Sequence, residues 1–189
     1  MSTPVLHALA GPNGAGKSTF VREVLQPVTG LPFVNADEIA ADRWPGREAE
    51  SAYEASAAAA AERAGLLDRR RSFITETVFS HPSKVDLVRQ AVAAGYLVAL
   101  HVVLVPVEVT LRRVEFCVAD GGHAVPPQKV RDRYDRIWPL IVDARAIADR
   151  TVFYDNGRAA TPFVTVARYE RGRPVGVPAW PRWAPSILT

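Results

Sequence analysis

The residues most able to do chemistry stand together near the start of the chain. The stretch AGPNGAGKSTF, 10–20, fits G-x-x-x-x-G-K-[ST] with Gly11, Gly16, Lys17 and Ser18 in the required places. The chemistry this spacing offers is the holding of a polyphosphate. Gly11, Gly14 and Gly16 open backbone conformations closed to other residues. The N–H groups of Pro12's neighbours Asn13, Gly14, Ala15 and Gly16 can then converge on an anion at the N-terminus of the following helix. Lys17 adds a compact ammonium for the β- and γ-phosphates, Ser18 a hydroxyl for Mg²⁺, and Thr19 extends the same loop. Only Lys17, Lys84 and Lys129 are lysines among 23 basic residues. Arginine and lysine differ in shape and hydration, so a chain biased this far toward arginine spends lysine where lysine is needed.

Positioning that loop requires a strand before it and a helix after it. VLHALA, 5–10, reads as a buried first strand, and 16–25 as the loop's helix, stopped by Pro27. A short strand at 32–35 ends just before Asp37. An alanine-rich helix spans 49–67. A third strand, 72–75, ends at Glu76, and a helix begins at His81-Pro82 and closes at Gly95. The longest apolar run, 96–105, suits a central strand buried on both faces. Val107, Leu111, Val114 and Val118 mark one further helix. Val130, Tyr134, Ile137 and Ile141 mark another, kinked or divided by Pro139. Strands at 151–154 and, at an edge, 163–169 complete the pattern. Alternating strands and helices predict an α/β fold of the P-loop NTPase type: a three-layer sandwich, nucleoside-kinase-like, with a mostly parallel five- or six-stranded sheet. Residues 1–170 would form one kinase domain with a lid at about 119–133, and 171–189 a proline- and tryptophan-rich strap.

In such sheets ligands bind beyond the carboxyl ends of the strands, which gathers the loop, Asp37, Glu76 and Asp155-Asn156 into one crevice. Phosphoryl transfer needs a cradle, a metal, an acceptor-orienting base and positive charge. Asp37 is the candidate base, with helix N-capping as its competing role. Glu76 can serve the metal or a substrate hydroxyl, and these two readings stay open. Thr77 and Ser80 are candidate substrate contacts. Arg113 and Arg133 lack an acid four residues away on their helices, so they are the better placed for an anionic ligand, with Arg136 next. ADGGHAVPP, 119–127, has the glycines and prolines of a hinged loop that would carry His123 to the substrate.

Composition narrows the class. The chain has 189 residues, 48% of them hydrophobic, a net charge of +3 and one cysteine. One domain, no internal disulfide and a cytoplasmic location are expected. The N-terminal residues lack a signal-peptide pattern, and no apolar run could span a bilayer.

The ordered set GPNGAGKST, NADEIA, FITET, GGHAVP with Arg133 and Arg136 behind it, and YDNG resembles the zeta-toxin-like family of P-loop kinases over residues 5–157. The resemblance implies ATP and Mg²⁺ as cofactors, held by Lys17 and Ser18, with Asp37 as base and Arg113 as a lid-side arginine on the phosphates. It also implies a small hydroxyl-bearing acceptor, UDP-N-acetylglucosamine in the best-known members, and for a toxin a protein antitoxin as partner. Two other readings use the same loop. A polynucleotide 5′-kinase needs a basic, aromatic-lined groove, whereas these arginines cluster near the phosphate site, so nucleic acid is disfavoured. A nucleotide-dependent ATPase switch needs no acceptor at all.

Overall fold

A computed structural model of the protein describes residues 3–119 and 126–189. Strand β1 (Val5–Ala10) alternates its side chains between two apolar layers, as strand geometry demands. Leu6, Ala8 and Ala10 face one layer and Leu9 the other. The same alternation runs through β4 (Leu97–Leu104), whose Val98, Leu100, Val102 and Leu104 join the first layer while Val103 joins the second. A strand covered on both faces must be central, and β4 lies between β1 and β5 (Arg150–Asp155).

The sheet order is β2-β3-β1-β4-β5-β6-β7, with β2 at Phe33–Val34, β3 at Phe73–Glu76, β6 at Val164–Glu170 and β7 at Arg173–Pro174. The first five in that order are parallel, and β6 and β7 add antiparallel at one edge. This is the expected α/β P-loop sandwich. It has seven strands rather than five or six, because the two residues of β7 leave no period to read in the sequence.

The loop's helix departs from expectation at Pro27. It begins as α1 (Lys17–Phe20), widens into a π-helical turn (Val21–Leu25), and ends as α2 (Gln26–Thr29) capped by Gly30 at φ 61°. The wide turn precedes the residue that lacks an N–H, so Pro27 opens α2 instead of stopping the helix. Next come α3 (Ala36–Arg43), α4 (Ala52–Asp68) and α5 (Ser83–Ala93). Beyond β4, α6 spans Val107–Ala119 and α7 Pro127–Ile147. Pro139 neither divides nor ends α7, whose Ile137, Trp138 and Ile141 are packed into the core around it.

The larger core layer joins Ala59 of α4, Val85 and Val88 of α5, and Tyr134, Ile137 and Ile141 of α7 against the sheet. The smaller holds Phe20, Val21 and Leu25 behind the phosphate loop. Residues 171–189 contribute β7, seat Trp180 edge-on to Phe153 with ring centroids 5.0 Å apart, and bury Leu188.

Under the loop's helix the smaller layer contains a polar chain. His7 Nδ1 lies 3.1 Å from His101 Nε2, and His101 Nδ1 lies 3.2 Å from the Tyr154 hydroxyl. Burial, then the neighbouring His7 and Arg150, lower the His101 pKa to about 3. A histidine neutral in the fold but free to protonate when unfolded stabilises fully above pH ~6.5 and progressively less as pH falls toward 3. Stability should therefore drop by about 2 kcal/mol from this group alone between about pH 7.5 and about pH 5. Urea midpoints measured across that range should show a shallower acid loss in His101→Phe, and an unchanged pH slope would refute the assignment.

Candidate active site

The phosphate loop, Glu76 and Asn156 stand at the carboxyl ends of β1, β3 and β5, where the parallel sheet puts them. The β1–β3 register pairs Leu9 with Glu76, so β3 ends beside the point where β1 enters the phosphate loop. The Thr77 N–H donates to the Leu9 carbonyl at 3.1 Å, which locks that alignment.

The loop needs its glycines for stated reasons. Gly11 has φ 144°, and a Cβ there would lie 2.4 Å from the Val103 carbonyl oxygen on β4. Gly16 has φ 89°, and a Cβ would lie 2.6 Å from Asn156 Nδ2. That amide donates to the Ala15 carbonyl at 2.8 Å, while the Asn156 N–H donates to the Leu104 carbonyl at 2.9 Å. Asn156 thus ties the loop to the end of β4 from the turn after β5. Arg113 of α6 does the same from the other side. Its Nη1 donates to the Gly14 carbonyl at 2.6 Å and its Nη2 to the Asn156 carbonyl at 3.4 Å.

Glu76 is the hub. Its Oε2 accepts from the Ser18 hydroxyl at 2.7 Å and from Asn35 Nδ2 at 3.1 Å. Its Oε1 lies 3.5 Å from the Lys17 ammonium, which also donates to the Pro12 carbonyl at 3.0 Å. Lys17 is buried. Burial lowers its pKa, while the charges of Glu76 and then Asp37 oppose that shift.

Asp37 does not cap its helix. Asn35 is the N-cap, its Oδ1 accepting the Asp37 N–H at 2.8 Å, which leaves the Asp37 carboxylate exposed in the first turn of α3. Its neighbour Glu38 is occupied by Arg22 at 2.6 Å.

Two cavities meet at this carboxylate. A cleft of about 860 Å³ runs along the phosphate loop and is lined by Lys17, Ser18, Asp37, Glu76, Arg113 and Arg133, among others. A hollow of about 230 Å³ adjoins it and shares Asp37, Glu76 and Val78. Thr77 and Ser80 line the hollow, Asn13 and Thr19 the cleft. Arg133 is exposed at the cleft. Arg136, also exposed, lines neither space; Asp132, four residues before it on α7, accepts from Gln128 at 2.7 Å. His123 and the rest of 120–125 lie outside the described residues, whereas 127–133 of the expected lid form the start of α7 and are not loop.

Sequence reasoning passed over several contributors. Pro162 and Phe163 line the cleft, where the Phe163 ring packs 5.1 Å from Phe20. Arg63 and Lys84 line the hollow. The signal for Arg63 was available, since Ala55, Ala59 and Arg63 recur every four residues and are the buried face of α4.

Among the described residues no group of three His, Cys, Asp or Glu side chains could hold a metal alone. The Ser18 hydroxyl beside the Glu76 carboxylate is instead an oxygen donor set. That set suits Mg²⁺, a hard cation that takes further ligands from phosphates and water. No described helix is long and apolar enough to cross a membrane.

A family model described as AAA domain matches residues 6–140. No protein of curated function matches the chain in sequence. Several solved structures share the fold. A putative kinase from Chloroflexus aurantiacus superposes with a TM-score of 0.67 at 18% identity, covering 85% of this chain and 92% of that one. AvrRxo1-ORF1:-ORF2 with ATP gives 0.62 at 19%, covering 92% of this chain, which spans 60% of that one. A chain of the PezAT toxin-antitoxin system of Streptococcus pneumoniae gives 0.60 at 16%, covering 82% and 68%.

The ties on the loop should be separable by substitution. Asn156→Ala removes a buried bond to the Ala15 carbonyl and should cost about 1–3 kcal/mol in chemical denaturation. Gly11→Ala forces a Cβ into backbone and should cost about 3 kcal/mol or more. Equal losses in the two variants would contradict this account of the loop.

Proposed function

We propose, from the premise that this chain belongs to the AAA domain family, that it is an ATP-dependent kinase moving the γ-phosphate of ATP to a hydroxyl of a small metabolite. The observation that carries the reading is the placement of Asp37 on the wall common to the phosphate cleft and the adjoining hollow. A base must touch both the acceptor hydroxyl and the path to the phosphate, and this carboxylate borders both spaces.

The residues then take the following roles. Backbone N–H groups of Asn13, Gly14 and Gly16 and the Lys17 ammonium hold the β- and γ-phosphates, the Ala15 N–H being donated to the Pro12 carbonyl at 3.2 Å. Ser18, with Glu76 behind it, would hold Mg²⁺, which when bound neutralises phosphate charge. Phe163 offers an apolar surface to the nucleoside end. Arg113 fixes the loop through the Gly14 carbonyl and, with Arg133, supplies positive charge at the cleft. Asp37 takes the proton from the acceptor hydroxyl. The hydroxyl oxygen bonds to the γ-phosphorus as the bond from that phosphorus to the bridging oxygen breaks, and ADP leaves. Thr77 and Ser80 lie where an acceptor would touch them.

UDP-N-acetylglucosamine is the acceptor we favour. NADEIA, FITET and YDNG support it through their family resemblance, and the PezAT likeness supports the same branch of the fold. A protein antitoxin is the partner that reading entails.

Transfer of labelled γ-phosphate is the test. Asp37→Asn should lower kcat by about a hundredfold to ten-thousandfold while ATP binding stays within about twofold. Lys17→Ala should lose ATP binding and transfer together. Full transfer by Asp37→Asn would remove the base assignment. ATP hydrolysis with no acceptor labelled by the unaltered protein would favour a switch.

A further inference from the structure

The hollow beside Asp37 has a second end, and its chemistry is unlike the first. One side opens to the phosphate cleft through Asp37, Glu76 and Val78. Arg63 and Lys84, which do not line that cleft, are shared instead with a further surface pocket of about 290 Å³. The lining also includes Ser56, Ala59, Thr77 and Ser80, small or hydroxyl-bearing side chains.

Arg63 is only 7% exposed, yet among the described residues it forms no salt bridge and no hydrogen bond. Lys84, half-buried in the first turn of α5, likewise has no ion-pair partner among them. The acid of the outer pocket, Asp86, is occupied by Arg89 at 2.6 Å. Glu76 is committed to Ser18, Asn35 and Lys17. Burial followed by the nearness of Arg63 lowers the Lys84 pKa, and burial lowers that of Arg63. Glu62, the neighbouring acid on α4, acts on Arg63 only in part against that burial. Two cations held close together and partly withdrawn from water, with no ion pair among the described residues, are costly unless something else neutralises them. The alanine face of α4 makes this deliberate. Ala55 and Ala59 keep the helix close to the sheet, and the residue one turn on, where another alanine would pack, is an arginine reaching into the hollow.

We propose that the phosphate acceptor is itself an anion, with a carboxylate or a phosphate seated on Arg63 and Lys84 and its reacting hydroxyl toward Asp37. This rests on the kinase reading for the direction of the hydroxyl, but the anion seat rests on the two cations alone. A space of 230 Å³ holds roughly eight water-sized groups at ~30 Å³ each, enough for a small hydroxy acid or the phosphate-bearing part of a larger ester. The two cations also set polarity. A neutral polyol would leave both unpaired, whereas an anion makes charge-assisted hydrogen bonds that orient the molecule along the hollow.

The test uses the full chain saturated with Mg²⁺ and ADP, so that the phosphate loop is filled. Calorimetric titration with inorganic phosphate and, separately, with acetate should show saturable binding of at least one. Whichever anion binds identifies a phosphate ester or a carboxylate as the recognised group. Lys84→Gln and Arg63→Gln should each weaken that binding about tenfold while ADP affinity is unchanged. Lys84 is half-buried near a helix end, so its variant keeps the test alive if Arg63→Gln fails to fold. Labelled ATP is then offered with a pool of neutral sugars and polyols and with a pool of hydroxy acids, sugar phosphates and UDP-N-acetylglucosamine. Label should enter only the anionic pool, and Lys84→Gln should raise KM for it more than it lowers kcat. Labelling of neutral acceptors with equal KM in the parent and Lys84→Gln would overturn the proposal and leave the kinase standing. Anion binding lost in the variants, with neither pool labelled, would uphold the seat and remove the kinase reading. Absence of any anion binding to the ADP-filled protein overturns the seat.

Discussion

The carboxylate of Glu76 is the constraint on which the rest of the site depends. It is only 11% exposed, and beside it lies an ammonium buried still more deeply. A buried charge left unpaired costs more than its partner's removal suggests, so each member of the pair fixes the other. Glu76 also accepts from Ser18 and Asn35, which join it to the phosphate loop and to the end of β2. Asn35 uses both ends of its amide. One donates to Glu76, and the other accepts the N–H of Asp37. The position of the acid at the end of β3 is thereby transmitted through one side chain to the start of α3. The orientation of Asp37 follows from a chain of hydrogen bonds that begins at a buried ion pair.

That chain holds because its foundation cannot slide. A parallel strand shifted by one residue would exchange the faces of every side chain on it. Here β1 would present Leu9 to the larger layer and Leu6 and Ala8 to the smaller, and Glu76 would no longer stand beside the loop. Gly11 adds a second lock, because its backbone lies against the Val103 carbonyl at a distance that excludes any side chain. The phosphate loop is therefore held from behind by packing, and from its flanks by Asn156 and Arg113.

How much of this is legible in the sequence depends on whether backbone or side chains make the feature. The phosphate loop is read directly, because glycine is required wherever a positive φ or a close approach occurs. β4 is read from its length and apolar content, since a strand covered on both faces has no alternation to hide. Asp37 and Glu76 are read from their places just after strands. By contrast, Pro27 reads as a stop, and only the π-helical turn before it shows why it is not. Asn35 reads as a residue of the strand because the helix was expected one or two residues later. Arg113 reads as free for a ligand because it lacks an acid four residues away. In the fold its guanidinium is already spent in part on the carbonyls of Gly14 and Asn156, partners that no helical spacing can reveal.

The same distinction explains why the donor half of the site is plain in the sequence and the acceptor half is not. Polyphosphate is gripped by main-chain N–H groups, which every residue has, so the demand falls on conformation and leaves a motif. The hollow proposed for an acceptor is lined by side chains of α4, of the loop after β3 and of α5, elements that meet only when the sheet is assembled. Arg63 lies within an alanine-rich helix whose propensity alone explains its composition, and Lys84 opens a different helix. Neither position has a local reason to be basic, and among the described residues neither forms an ion pair. A charge that local structure leaves unexplained and burial makes expensive is evidence of a ligand to the extent that its surroundings are otherwise satisfied. Around this hollow they are: Glu76 has its three partners and Asp86 has Arg89. Among the described residues, Arg63 and Lys84 line the hollow without an ion pair, and of the acids lining it Glu76 is matched and Asp37 is exposed.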